Sequence, residues 1–144
     1  MSQTSTGTES QLKALRKRVR EVLRGPLEDQ WEEVLDQWSS AAPADREAVR
    51  AYVSGLRNRM LESLLEIGSL DELERGLAIQ YIEVKCHWTM LNTQIQNQTA
   101  ENGRPDDSLI YRATCVSLIL QALEPLVSRK RVDEVTGFLV EPLE

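Results

Sequence analysis

Residues 68–98 read GSLDELERGLAIQYIEVKCHWTMLNTQIQNQ. Within them Leu70, Leu73, Leu77, Tyr81, Val84, Trp88, Leu91 and Ile95 return at the three- and four-residue intervals that stack side chains along one side of an α-helix. Ser69 and Glu72 have the spacing of a capping box, in which the Ser hydroxyl accepts an amide of the new helix and the Glu returns a bond to the Ser amide. Gly68 stops the segment before it. A second apolar group, Ala78, Ile79, Ile82, Cys86 and Met90, falls nearly opposite the first. At about 1.5 Å per residue this fourth helix is about 43 Å long, against a domain diameter of roughly 38 Å for this chain length. It therefore spans the subunit, and its second stripe needs a cover, either a neighbouring helix of the same chain or another subunit. Ile79, Ile82, Cys86 and Met90 are the candidate oligomer interface.

Outward from this helix the pattern stays helical. A polar connector, residues 99–105, holds the turn signals Asn102-Gly103 and Pro105. Asp106, Asp107 and Ser108 offer N-caps to a fifth helix running to about residue 130, carrying Leu109, Ile110, Ala113, Val116, Ile119, Leu120, Leu123 and Val127, with Pro125 kinking or tightening its last turns. Two long helices on a short connector form an antiparallel hairpin. Upstream, a first helix over 10–24 ends at Gly25-Pro26, a second over 27–39 carries Trp31 and Trp38 as core or interface anchors, and a third over 43–67 buries Val49, Tyr52, Val53, Leu56, Met60, Leu64 and Ile67. The expected fold is all-α: a helical subunit on a long antiparallel hairpin, with shorter N-terminal helices and an extended C-terminal tail. Its expected parts are a disordered arm (1–9), an N-terminal helical region (10–67), the hairpin as oligomerisation core (68–131) and an acidic tail (132–144).

Composition agrees. With 144 residues, 41% hydrophobic and 28% charged, the chain is long enough for a core and neither disordered nor a disulfide miniprotein. Its uninterrupted apolar runs, as at Leu118–Leu120, fall far short of the roughly 20 residues of a membrane span, and its polar start lacks the pattern of a signal peptide, so a cytoplasmic protein without membrane contact is expected. Cys86 and Cys115 lie within apolar helical patterns and read as packed thiols.

The net charge of −6 hides blocks of opposite sign. Residues 11–24 hold six bases (Lys13, Arg16, Lys17, Arg18, Arg20, Arg24) against Glu21, whereas 27–38 hold five acids (Glu28, Asp29, Glu32, Glu33, Asp36) and no base. Basic residues this close repel one another on a helix unless an anion covers them. Two covers suit: the acidic second helix of the same or a neighbouring subunit, or phosphate. Screening within about 8 Å lets an acidic protein present a basic face to DNA, so the six bases are the candidate DNA-binding residues.

Signs of catalysis are sparse. His87 is the sole histidine, reads as a solvated side chain beside Glu83 one turn earlier, and points about 100° away from Cys86. No P-loop, dinucleotide fingerprint, zinc-protease or C-x-x-C motif occurs. Neither a catalytic residue, a metal site nor a cofactor is expected, and the acids at 28–36 read as a solvated face.

One resemblance emerges from the middle of the chain. Gly68-Ser69-Leu70-Asp71-Glu72-Leu73-Glu74, then Tyr81, Trp88 and Ile95, the Asn102-Gly103-Arg104-Pro105 connector, and a second long helix closing at Leu123 and Ser128-Arg129 together resemble the terminase small subunits of tailed double-stranded DNA phages, over roughly residues 60–131. The resemblance implies a homo-oligomeric ring built from the hairpin, recognition of the viral packaging site on double-stranded DNA, and regulation of the ATPase and nuclease of a large terminase subunit. Residues 1–60 show no helix-turn-helix pattern. A helical adaptor that binds only protein through the second stripe is the alternative.

Overall fold

In the computed structural model, which describes residues 2–140 and side chains over 7–137, the capping pattern at Ser69 is realised in part. Ser69 Oγ accepts the Glu72 amide at 3.2 Å, and helix α4 (Leu70–Asn102) begins there. It ends at Gly103, whose φ of 81° is the left-handed turn that glycine adopts without steric cost. Asp106 then caps α5 (Asp107–Leu123), its carboxylate accepting the Ser108 amide at 3.1 Å. Before these lie α1 (Ser2–Leu23), α2 (Gly25–Asp36) and α3 (Pro43–Leu65). After them come a 3-10 turn (Glu124–Leu126) and α6 (Arg129–Val140). No strand occurs among the described residues, so the all-α class holds.

Several boundaries differ from expectation for identifiable reasons. Residues 2–9, expected as a disordered arm, continue α1 toward the N-terminus. Gly25 is not a left-handed stop; the break falls at Arg24 (φ −109°, ψ −117°), and Gly25-Pro26 opens α2, where proline's missing amide costs nothing. Pro125 tightens the chain into the 3-10 turn, and Val127 is extended, so the fifth helix ends well before residue 130. The acidic segment after 131, expected as an extended tail, is helical to Val140: Arg131 bonds Glu74 at 3.1 Å and also pairs with Asp71, holding α6 on α4. The side chains of Phe138, Leu139 and Val140, and residues 141–144, lie outside the described residues.

The centre of the molecule is α5 rather than α4. It packs on α1, α2, α3 and α4, most extensively on α4, and Leu109, Ala113, Cys115, Val116, Ile119 and Leu123 are all buried. The segment Asp107–Leu126 is by length and composition long and apolar enough to cross a membrane, contrary to expectation from its short apolar runs; here that composition serves a helix covered on several sides. Trp38 stacks on Tyr111 of α5 with ring centroids 4.7 Å apart, and Trp31 and Trp38 are buried as expected. One core runs from Leu12 to Leu126, unbroken at the 67/68 boundary between the expected regions. Gly76 brings α4 close to the end of α3: a Cβ there would meet Ile67 Cδ1 at 2.8 Å.

Candidate functional site

The six candidate bases do not form one face. Leu12, Val19 and Leu23 turn one side of α1 into the core. At about 100° per residue Lys13, Lys17 and Arg20 share about 60° of arc facing outward, with Arg24 following at the break. All four are exposed. Arg16 is different: it is half-buried, its Nη2 donates to the Ile67 carbonyl at the end of α3, and its Nε is buried without a hydrogen-bond partner among the described residues. The helical pattern placed Arg16 beside the basic ridge, but its position next to the apolar stripe lets it serve an orphan helix-end carbonyl. Arg18 is exposed but turned about 100° from Lys17 and about 160° from Arg20, so it lies off the ridge.

The acidic helix does not cover this ridge. Glu28 pairs with Arg57 Nη1 at 2.7 Å, and Glu32 takes a two-pronged bond from Arg50, Nε at 2.6 Å and Nη2 at 2.8 Å. Arg50 holds the Glu32 carboxyl below its usual range despite partial burial, and its own pKa is raised chiefly by the bond to Glu32. Arg57 also donates to the Leu23 carbonyl at 2.8 Å and lies 5.2 Å from the Trp31 ring centroid, which fastens the α1–α2 corner to α3. The partners of α2 are therefore arginines of α3. Among the described residues Lys13, Arg18, Arg20 and Arg24 hold no ion pair, and Lys17 meets only Glu21, at 4.0 Å between well-exposed side chains. A surface pair of that kind contributes roughly 0 to 1 kcal/mol and yields readily to another anion. The apolar patterns identified α3 as a core helix; its basic residues at 50 and 57 gave no local sign of facing Glu32 and Glu28.

The second stripe of α4 divides. Ala78 is fully buried and Ile82 half-buried, whereas Ile79 at 39%, Met90 at 47% and Cys86 are exposed. Cys86 is thus no packed thiol; Cys115 is, and burial, aided by the charge of Glu32, pushes it up to about 12. A cleft of about 340 Å³ opens between α4 and α6, lined by Arg75, Ile79, Glu134 and Val135, so α6 leaves the stripe partly open.

His87 is not a solvated residue beside Glu83. It is half-buried, its Nε2 hydrogen-bonds the Tyr52 hydroxyl, and its ring stacks on Tyr52 with centroids 5.6 Å apart. Arg112 of α5 covers the same Tyr52 ring at 5.2 Å. Glu83 is exposed and forms no hydrogen bond with His87 among the described residues. The cluster joins α3, α4 and α5 through rings and a guanidinium. A polar cleft of about 470 Å³ beside the α4–α5 connector brings Asp45, Arg104, Asp106 and Asp107 to its rim, and no group of three or more potential metal ligands occurs among the described residues.

No family model, curated protein or solved structure matches the chain.

Proposed function

We propose that this chain is a self-associating, DNA-binding subunit of the small-terminase type: it binds double-stranded viral DNA at the packaging site as a homo-oligomeric ring built on α4 and α5, and regulates the ATPase and nuclease of the large terminase subunit. In this reading the protein is no enzyme, needs no cofactor, and works in the cytoplasm of the infected cell without touching a membrane. The observation that carries the DNA part is the exposed ridge of Lys13, Lys17, Arg20 and Arg24, left uncovered because Glu28 and Glu32 pair with Arg57 and Arg50. Exposed Ile79, Cys86 and Met90, with half-buried Ile82 among them, support self-association, since each large apolar side chain left in water forgoes about 1.5 to 3 kcal/mol of burial.

The same exposed strip favours one other reading, a helical adaptor that binds only protein. Retention of the intact protein on immobilised duplex DNA near 50 mM salt separates the two. Retention that is lost on replacing Lys13, Lys17 and Arg20 together by Glu, with solution mass unchanged, supports the packaging subunit; no retention of the unaltered protein leaves the adaptor.

A further inference from the structure

Acids on either side of the basic ridge restrict what it is able to touch. Glu9 lies along one border of Lys13, Lys17 and Arg20 and Glu21 along the other, and both are exposed. An α-helix about 10 to 12 Å across fills a major groove about 12 Å wide, so an inserted helix has phosphates on both walls. With α1 in that position each wall would face a carboxylate. Laid against a single strand, α1 meets phosphates only along its crest, and the acids fall to either side of them.

The chemistry of the crest points the same way. Residues 12–24 contain no Asn, Gln, Ser or Thr, so the amide side chains that read adenine and the hydroxyls that adapt to other base edges are missing there, and the Lys and Arg that read guanine from inside a major groove meet only phosphates when α1 lies along one strand outside it. No aromatic residue lies in that stretch, and Trp31 and Trp38 are buried at 2% and 5% exposure, so the crest offers no platform on which unpaired bases stack. What it does offer is length. From residue 13 to residue 24 it extends about 16 Å, long enough for four flexible basic side chains to reach successive phosphates of one strand.

We infer that Lys13, Lys17, Arg20 and Arg24 form a duplex-backbone clamp, which docks α1 along the phosphates of one strand of double-stranded DNA and does not read base sequence. This rests on the DNA-binding part of the proposed function and narrows it: choice of the packaging site belongs to another surface of the assembly. Arg16, engaged with Ile67, and Arg18, on the other side of the helix, take no part.

The test is anisotropy of labelled duplexes, AT-rich and GC-rich, titrated with the intact protein across salt. Both duplexes bind alike, and four contacts per engaged chain give a log–log salt slope of about −3.6, which is about 150-fold weaker binding at 200 mM than at 50 mM salt. Lys17→Gln and Arg20→Gln each flatten the slope per chain by about 0.9, Lys17→Arg keeps it, and Arg18→Gln leaves it unchanged. All these side chains are exposed, and circular dichroism verifies that each variant is folded. A preference of about tenfold or more between duplexes, the scale of one read base pair, overturns the clamp while leaving the proposed function standing. Flattening by Arg18→Gln equal to that of Lys17→Gln also overturns it, because the attraction is then diffuse. Absence of binding to either duplex near 50 mM salt overturns both the clamp and the DNA-binding reading.

Discussion

The guanidinium of Arg57 lies 2.7 Å from the Glu28 carboxylate, bringing together a base of α3 and an acid of α2. That contact, with the similar one between Arg50 and Glu32, accounts for a basic helix and an acidic helix being adjacent in sequence without neutralising each other. Arg57 is buried to 7% exposure and also takes the Leu23 carbonyl, so its removal leaves a carboxylate and a carbonyl without their donor. Arg57→Ala is expected to lower unfolding stability in urea by about 2 to 3 kcal/mol, less than the roughly 3 to 5 kcal/mol for breaking a fully buried pair because Glu28 is half exposed. Glu28→Gln costs less, about 1 kcal/mol, since a neutral acceptor remains. Equal losses for the two variants would show that Arg57 has no role beyond Glu28.

Arg16 and Lys17 are sequence neighbours with different tasks. Arg16→Ala leaves the Ile67 carbonyl without its donor and is expected to cost about 1 to 2 kcal/mol, measured by thermal or urea unfolding. Lys17→Ala, exposed and loosely paired with Glu21, stays within about 0.5 kcal/mol. Stability changes of the same size at both positions would contradict the inward turn of Arg16.

The two thiols separate by reactivity and by pH. Cys86 is exposed on the single chain and reacts promptly with a thiol reagent wherever self-association leaves its strip uncovered, while buried Cys115 reacts only on unfolding, so at most one fast equivalent per chain is expected. Burial raises Cys115 in the folded state from 9.0 to about 12. A folded value above the unfolded one means that this contribution to stability is complete below about pH 9 and is lost as the pH climbs toward 12. The melting temperature therefore falls across that alkaline window, and Cys115→Ala makes the fall shallower. An unchanged slope in that variant would remove Cys115 as its cause.

Substitutions along the second stripe of α4 have unlike consequences. Ile79→Glu and Met90→Glu alter exposed positions and are expected to leave the fold intact while reducing the mass seen by light scattering. Ala78→Glu, at a fully buried position, is expected to unfold the chain by leaving a charge without a partner in the core. A monomer before and after Ile79→Glu and Met90→Glu would show that the exposed strip does not mediate self-association.

Local pattern alone was enough for the all-helical class and for the existence of the helices between residues 10 and 123, because helix formation depends on neighbours three and four residues away and on end groups such as Ser69, Asp106 and Gly103. The same reasoning found Trp31 and Trp38 as core residues and grouped the bases of residues 11–24. It was misled at residues 2–9 and 129–140, where polar composition and thin periodicity hid helices, the second of them held on α4 by Arg131 contacts with Asp71 and Glu74. Tertiary structure decided which charges remain free. Arg16 and Arg20 are alike in type and one turn apart, yet one bonds a carbonyl 51 positions away and the other faces solvent. His87 likewise takes its partner from Tyr52, 35 positions earlier, rather than from Glu83 one turn away. Helical periodicity records which way a side chain leaves its own axis; what it meets there depends on the packing of other helices, and that is set by contacts across the whole chain.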